Sequence, residues 1–250
     1  MEWQNVLPDG VFWALVGLSI FTSFLTATLG AGGGVVMIAA MAILLPPAAL
    51  IPVHGMVQLG SNLGRASLSW RHIDWPTMAV FAPFSVLGAI FASQVLVQLP
   101  VETVQFTIAA FILYLCWGPR LPQLALKKRA LALAASATGF IALFIGASGP
   151  LVGAFIKTKF TDRYRVVSTF AATMSVQHLP KAFIFGFAGF AFLDWLWLIG
   201  LMIVAGLMGT WLGLHTLGKI SDKRFDITFR VVLSILALRL LYQAVMPYLA

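Results

Sequence analysis

The sequence predicts an all-α polytopic membrane protein made of two inverted repeats of about five helical segments each, with glycine-broken hairpins inside the membrane. Three observations predict it. The chain is 60% hydrophobic and 10% charged, whereas a soluble domain carries roughly 25% charged residues. No Asp, Glu, Lys or Arg lies between Asp9 and Arg65, and long uncharged runs recur down to the C-terminus. Finally, Gly30-Ala31-Gly32-Gly33-Gly34 returns 116 positions later as Gly146-Ala147-Ser148-Gly149-Pro150.

A membrane span needs about 20 apolar residues, so 250 residues hold roughly seven to ten passes and leave no room for a soluble catalytic domain. Apolar segments run over 11–29, 35–45, 52–70, 76–97 and 102–118, then 130–146, 150–157, 167–190, 195–217 and 227–246. At 1.5 Å per residue, 35–45 and 150–157 are too short to cross. Each reads as one arm of a hairpin that turns back within the membrane. The repeat extends beyond the glycine motif. At the same shift, Ser61-Asn62-Leu63-Gly64-Arg65 falls on Gln177-His178-Leu179-Pro180-Lys181. After a slip of four, Ile73-Asp74-Trp75 meets Leu193-Asp194-Trp195, and one further on Leu87-Gly88 meets Met208-Gly209. The division is a first repeat over 1–120, a basic cytoplasmic linker over 121–129 and a second repeat over 130–250.

Five segments per half return the chain to the opposite side, so the second copy is expected to be inverted. Charge supports this. Arg71; Arg120, Lys127, Lys128 and Arg129; Lys157, Lys159, Arg163 and Arg165; and Lys219, Lys223 and Arg224 fall in four loops that the alternation puts on one face. Glu2, Asp9, Glu102 and Asp194 fall on the other, so the basic face is expected in the cytoplasm and both termini in the periplasm. Arg239, well inside the last span, is a misfit that calls either for an inward orientation or for a different helix placement. The net charge of +8 is thus read as orientation, and nucleic acid is not expected as a partner. The first ten residues lack a basic n-region, so the first span is expected to remain. Cys116 is the single cysteine and sits in an apolar run, which excludes an internal disulfide and a thiolate cluster. Neither metal nor other cofactor is expected.

Backbone breaks survive in a bilayer only where protein or a water-filled cavity surrounds them. Two breaks related by the repeat therefore mark a cavity. Helices beginning at Gly32 to Val35, over Gly32, Gly33 and Gly34, and at Gly149 to Leu151 would turn free N–H groups and positive dipole ends toward an anion, with Ser148 adding a hydroxyl donor. A polar stripe on the third segment, His54, Gln58, Ser61, Arg65, Ser69 and His72, follows helical steps with Asn62 beside it. Its counterpart is Thr169, Thr173, Gln177 and Lys181, with His178 adjacent. Arg65 and Lys181 occupy equivalent positions and have no carboxylate close by on their own helices, while a lone cation in the bilayer costs at least ~2.5–3.5 kcal/mol. A transported anion supplies the missing charge; snorkelling, or pairing with Asp74 or Asp194, is the competing explanation. Gly64 and Pro180 coincide in the repeat and suggest a hinge. His54 and His178 are candidates to carry protons or to bond an oxyanion. Trp70, Trp75, Trp195 and Trp197 read as interfacial anchors.

The Gly-Ala-Gly-Gly-Gly and Gly-Ala-Ser-Gly-Pro runs, two halves and about 250 apolar residues resemble the sulfite exporter TauE/SafE family over essentially the whole chain. The resemblance implies a bacterial inner-membrane permease for sulfite, sulfonates such as sulfoacetate, or related oxyanions. Pro46-Pro47 and Pro52 follow the first glycine run here, a departure from the commoner pattern that leaves the cargo open. The expected partners are a small anion and the lipid bilayer, with protons as coupling ion and a homo-oligomer both left open. Two other readings stand beside the carrier. One is a passive anion channel. The other is a rhomboid-like serine protease with Ser148 as nucleophile and His178 as base, against which the first copy has Gly32 where Ser148 stands.

Overall fold

In the computed structural model the described residues are 7–95, 100–118, 128–146, 148–216 and 222–246, and they form ten α-helices and two short 3-10 turns. Glu2, Arg120, Lys127, Ala147, Lys219 and the 121–127 part of the expected linker lie outside them. The helices are α1 (Asp9–Leu29), α2 (Gly33–Leu44), α3 (Pro47–Leu68), α4 (Trp75–Val95) and α5 (Val101–Trp117). They are followed by α6 (Lys128–Ile145), α7 (Gly149–Lys159), α8 (Arg163–Phe187), α9 (Leu196–Thr216) and α10 (Asp222–Val245).

Four helical stretches are long and apolar enough to cross a membrane: Asp9–Leu29, Trp75–Gln94, Lys128–Ile145 and Phe192–Thr216. The α3 and α8 helices, of 22 and 25 residues, are long enough but carry the two polar stripes. The arms α2 and α7 have 12 and 11 residues, which is about 17–18 Å against a hydrocarbon core of ~30 Å. Large apolar side chains such as Phe91, Leu133, Phe187 and Leu193 cover the outside, as a lipid-facing surface requires. Arg239 stands exposed on α10 about two turns before its end, within reach of the interface by snorkelling. Trp70, Trp75 and Trp197 are exposed as anchors would be, but Trp195 is buried and stacks on Phe190 in the main core.

Both hairpin turns use the backbone freedom of glycine. Gly30 and Gly146, 116 residues apart, both take positive φ, +81° and +77°, a region that other residues enter only at a steric cost. Each ends a long helix, and a short arm begins two or three residues later.

The helix pairs also interchange between the halves. α1 packs on α9 as α6 packs on α4, and α3 packs on α9 as α8 packs on α4. The α3–α8 and α5–α10 pairs join helices that hold the same place in the expected repeat. The match extends to single atoms. A Cβ on Gly209 would lie 2.0 Å from the carbonyl oxygen of Ile20, and a Cβ on Gly88 would lie 2.0 Å from that of Ser136. Ile20 and Ser136 are themselves 116 residues apart. Small residues bring the backbones together in these pairs, as membrane helix packing favours. Gly209→Ala and Gly88→Ala are each expected to destabilise the protein by roughly 1–3 kcal/mol through overpacking. Thermal melts in detergent read this, with Gly17→Ala, which meets nothing within 4 Å, as the control.

Candidate functional site

The starts of α2 and α7 meet at a cavity of mixed polar and apolar lining. Gly32, Gly34, Val35, Gly146, Gly149 and Pro150 line it from the two hairpins, and His54, Gln58 and Asn62 from α3. Thr26 on α1 and Phe170, Met174 and His178 on α8 complete the wall. The hollow is small: it reaches about 320 Å³ only when the open space at its mouth is included, and its interior has room for little more than a water molecule. Neither α2 nor α7 has a side-chain cap at its start, and residues of both first turns line the hollow, which sets two positive helix ends beside it.

The sequence-predicted residues separate into two groups. Gly32, Gly34, Gln58, Asn62, Gly149 and His178 line the cavity, while Gly33, Ser61, Arg65, Ser148, Thr173, Gln177 and Lys181 stand behind it. Gly33 is packed on α1, where a Cβ would fall 1.8 Å from the carbonyl of Thr22. Thr173 bonds its own helix at Phe170 O, and the Ser61 hydroxyl is buried without a partner beside Gly206. Ser148 donates to Gln177 Oε1, and Gln177 Nε2 donates to Thr138 Oγ1 at 2.8 Å, which ties the start of α7 to α8 and α6.

Each buried cation reaches a cavity-lining group by a hydrogen bond. Arg65, 2% exposed, donates to Asn62 Oδ1 at 2.9 Å and to Thr210 Oγ1 at 3.1 Å. Asn62 in turn donates to Gln58 O. Lys181, 1% exposed, lies along Gly55 and donates to Gly146 O at 3.1 Å. Among the described residues neither cation has a carboxylate partner. The expected alternative partner Asp74 is committed elsewhere, and Asp194 lies in the single turn before α9.

His54 Nε2 bonds Gly34 O at 3.1 Å, and its ring stands 5.8 Å from that of His178 in an edge-on arrangement. The Nδ1 atoms of both rings are buried without a partner. Pro180 lies inside an unbroken α8, and Gly64 admits Leu207 of α9 as a packing contact.

The lining residues Phe170 and Met174 carry no polar signal, and polarity alone did not mark them. The repeat shift does: they stand 116 positions after His54 and Gln58. One wall of the cavity is therefore polar and the equivalent wall apolar. Thr26, Val35 and Pro150 become visible as lining only once the helices are assembled.

At one end of the bundle, Asp74 closes the turn between α3 and α4 onto the turn between α7 and α8. Its carboxylate meets Lys159 Nζ at 3.1 Å and Arg165 at 2.5 Å, it accepts from Thr77, and its backbone N–H donates to Thr169 Oγ1. These ion pairs place two of the expected cytoplasmic loops together. Burial pushes the Asp74 carboxyl up, but hydrogen bonds from Thr77, Lys159 and Arg165 outweigh it and hold it at about 2, below its ordinary 3.8. The resulting stability is complete above pH 3.8 and is lost as pH falls towards 2. Asp74→Asn is expected to cost on the order of 2 kcal/mol at neutral pH. Melts of the two proteins should converge as pH drops below about 4; a constant difference down to pH 2 would contradict the assignment.

Apolar helices around a cation-flanked cavity, built where two short arms begin, fit the class that the family match then shows, a membrane transporter. The chain belongs to the sulfite exporter TauE/SafE family, whose model matches residues 15–240. No curated protein and no solved structure matches it. Membership makes it a membrane transporter of the sulfite/anion type and not an enzyme.

Proposed function

We propose that the protein exports small anions, namely sulfite, organosulfonates or related oxyanions, across a bacterial inner membrane by alternating access to the central cavity. The observation that carries this reading is the convergence of the α2 and α7 starts on one cavity, backed by Arg65 and Lys181, which have no carboxylate partner among the described residues. Amide N–H groups and two cations replace the hydration of a negative cargo. The interchanged pairs α1–α9 and α6–α4 support an inverted repeat over 1–120 and 130–250, in which one half moves against the other. The apolar wall of Phe170, Met174 and Pro150 favours a cargo with a short carbon part, an organosulfonate over sulfate.

The test is flux into proteoliposomes across sulfite, sulfate, sulfoacetate, thiosulfate and small carboxylates. Saturation and counterflow support a carrier. Flux that stays linear in concentration, without counterflow, would move the reading to a channel, and silence with every anion would end it. Ser148 donates to Gln177 and not to His178, which leaves it without the base a protease nucleophile needs. Ser148→Ala is expected to retain transport within roughly tenfold, the cost of one neutral hydrogen bond.

A further inference from the structure

We infer that His54 Nδ1 is a proton-binding site of the transport cavity, so that each anion entering it is accompanied by one proton. The inference rests on the anion reading above and adds the coupling ion and its ligand.

The tautomer of His54 is set by its surroundings. A carbonyl oxygen only accepts, so the nitrogen that contacts Gly34 O at 3.1 Å, Nε2, carries the hydrogen. In a neutral ring the other nitrogen then presents a bare lone pair. That nitrogen, Nδ1, is buried, has no partner, and sits 3.7 Å from the point a Cβ on Gly146 would occupy, beside the cavity. A lone pair turned toward an anion repels it. Once Nδ1 gains a proton it becomes a second donor on an imidazolium, and the same atom attracts the anion. The proton comes from solvent and the imidazole lone pair forms the N–H bond, with no other bond broken.

The titratable groups facing His54 are His178 and Lys181, both on α8. The α2 helix carries no ionisable residue, and those of α6 and α9 lie at the ends of the helices, at Lys128, Arg129 and His215. Arg65, eleven residues further along α3, is turned to Asn62 and Thr210. With Lys181 so near, a second positive charge on His54 needs a compensating negative one. An anion in the cavity provides it, and neither charge then enters alone.

Ethanesulfonate carries no proton of its own at neutral pH, which makes it the probe. Its binding to the full chain in detergent is followed by titration calorimetry in two buffers of different ionisation enthalpy, which gives the protons taken up per anion bound. The expected result is about one proton per anion for the wild type, falling to near zero in His54→Gln, whose amide still donates to Gly34 O. His72→Gln, which lies outside the cavity against Tyr164, should still take up the proton. Binding of ethanesulfonate by the wild type with no proton uptake overturns the inference and leaves the anion reading standing. Uptake that persists undiminished in His54→Gln also overturns it, by placing the proton on another group. Absence of binding by ethanesulfonate and by sulfite in the wild type removes the anion reading, and the inference with it. Should His54→Gln fail to fold, nitrogen-15 NMR of the histidine rings in the wild type decides the matter: ethanesulfonate moves one buried Nδ1 into the protonated range if the inference holds and leaves every ring nitrogen unchanged if it does not.

Discussion

Lys181→Met is expected to abolish anion flux while leaving the protein folded and no less stable than the wild type. The two halves of that expectation have opposite signs, and this makes the substitution informative. The ammonium is 1% exposed and bonded only to Gly146 O among the described residues. A buried charge without a counter-charge is a cost to the fold, and an apolar side chain of similar length removes it. For the cargo the same change removes a cation beside the cavity. A charge-assisted hydrogen bond is worth about 1.5–3 kcal/mol, which corresponds to roughly 10- to 150-fold in affinity, and direct charge attraction in a dry site adds to it. Flux measured in proteoliposomes and melting measured in detergent separate the roles. Lower stability with normal flux would make Lys181 a structural residue. Lys181→Arg is not a rescue, because the stem lies along Gly55, where even a Cβ would come within 3.1 Å of it.

Gly33→Val should act through the fold and remove the protein from the membrane. A Cβ at Gly33 would fall 1.8 Å from Thr22 O and 2.4 Å from Thr26 Oγ1. The first is main chain of α1 and cannot swing away, so the α1–α2 hairpin has to open. The cost exceeds the ~1–3 kcal/mol of ordinary overpacking, and the expected readout is loss of folded protein on size exclusion. One residue on, Gly34→Ala meets only Gln58 at 3.4 Å, an ordinary contact. It is expected to fold and to lose transport, because its methyl occupies the cavity. Equal expression of Gly33→Val and wild type would show that the hairpin is packed differently.

Much of this architecture was legible because a bilayer penalises every unpaired backbone group, so apolar length and glycine breaks carry topology directly. The ten segments read from hydropathy correspond one to one with α1–α10, including the two short arms. The departures have local causes. The α3 helix starts at Pro47 and not at residue 52, because proline suits a first helical turn and Pro52 lies only one turn further in. The α8 helix starts at Arg163 and not at residue 167. Asp162 accepts from the N–H groups of Tyr164 and Arg165 and caps it, in a stretch whose basic residues read as a loop.

The cavity was legible in part. Glycine breaks and the α3 stripe point to Gly32, Gly34, Gln58, Asn62, Gly149 and His178 at its wall. Helical periodicity cannot tell lining from backing, however, when a helix is buried on most sides. Gln177, Thr173 and Lys181 share a face of α8, yet each bonds a different neighbour behind the wall. Phe170 and Met174 escaped because a search for anion ligands looks for polar atoms, whereas the repeat had placed apolar residues at the same two positions.

The central claim is that the anion sits where the α2 and α7 starts converge. Selenite has the shape and charge of sulfite and scatters anomalously, so crystals grown with it locate the site directly. A selenium peak in the cavity, among Gly34, Gln58, Asn62 and His178, is the predicted result. A peak only at the basic loops, or none at all in protein that transports selenite, would contradict it.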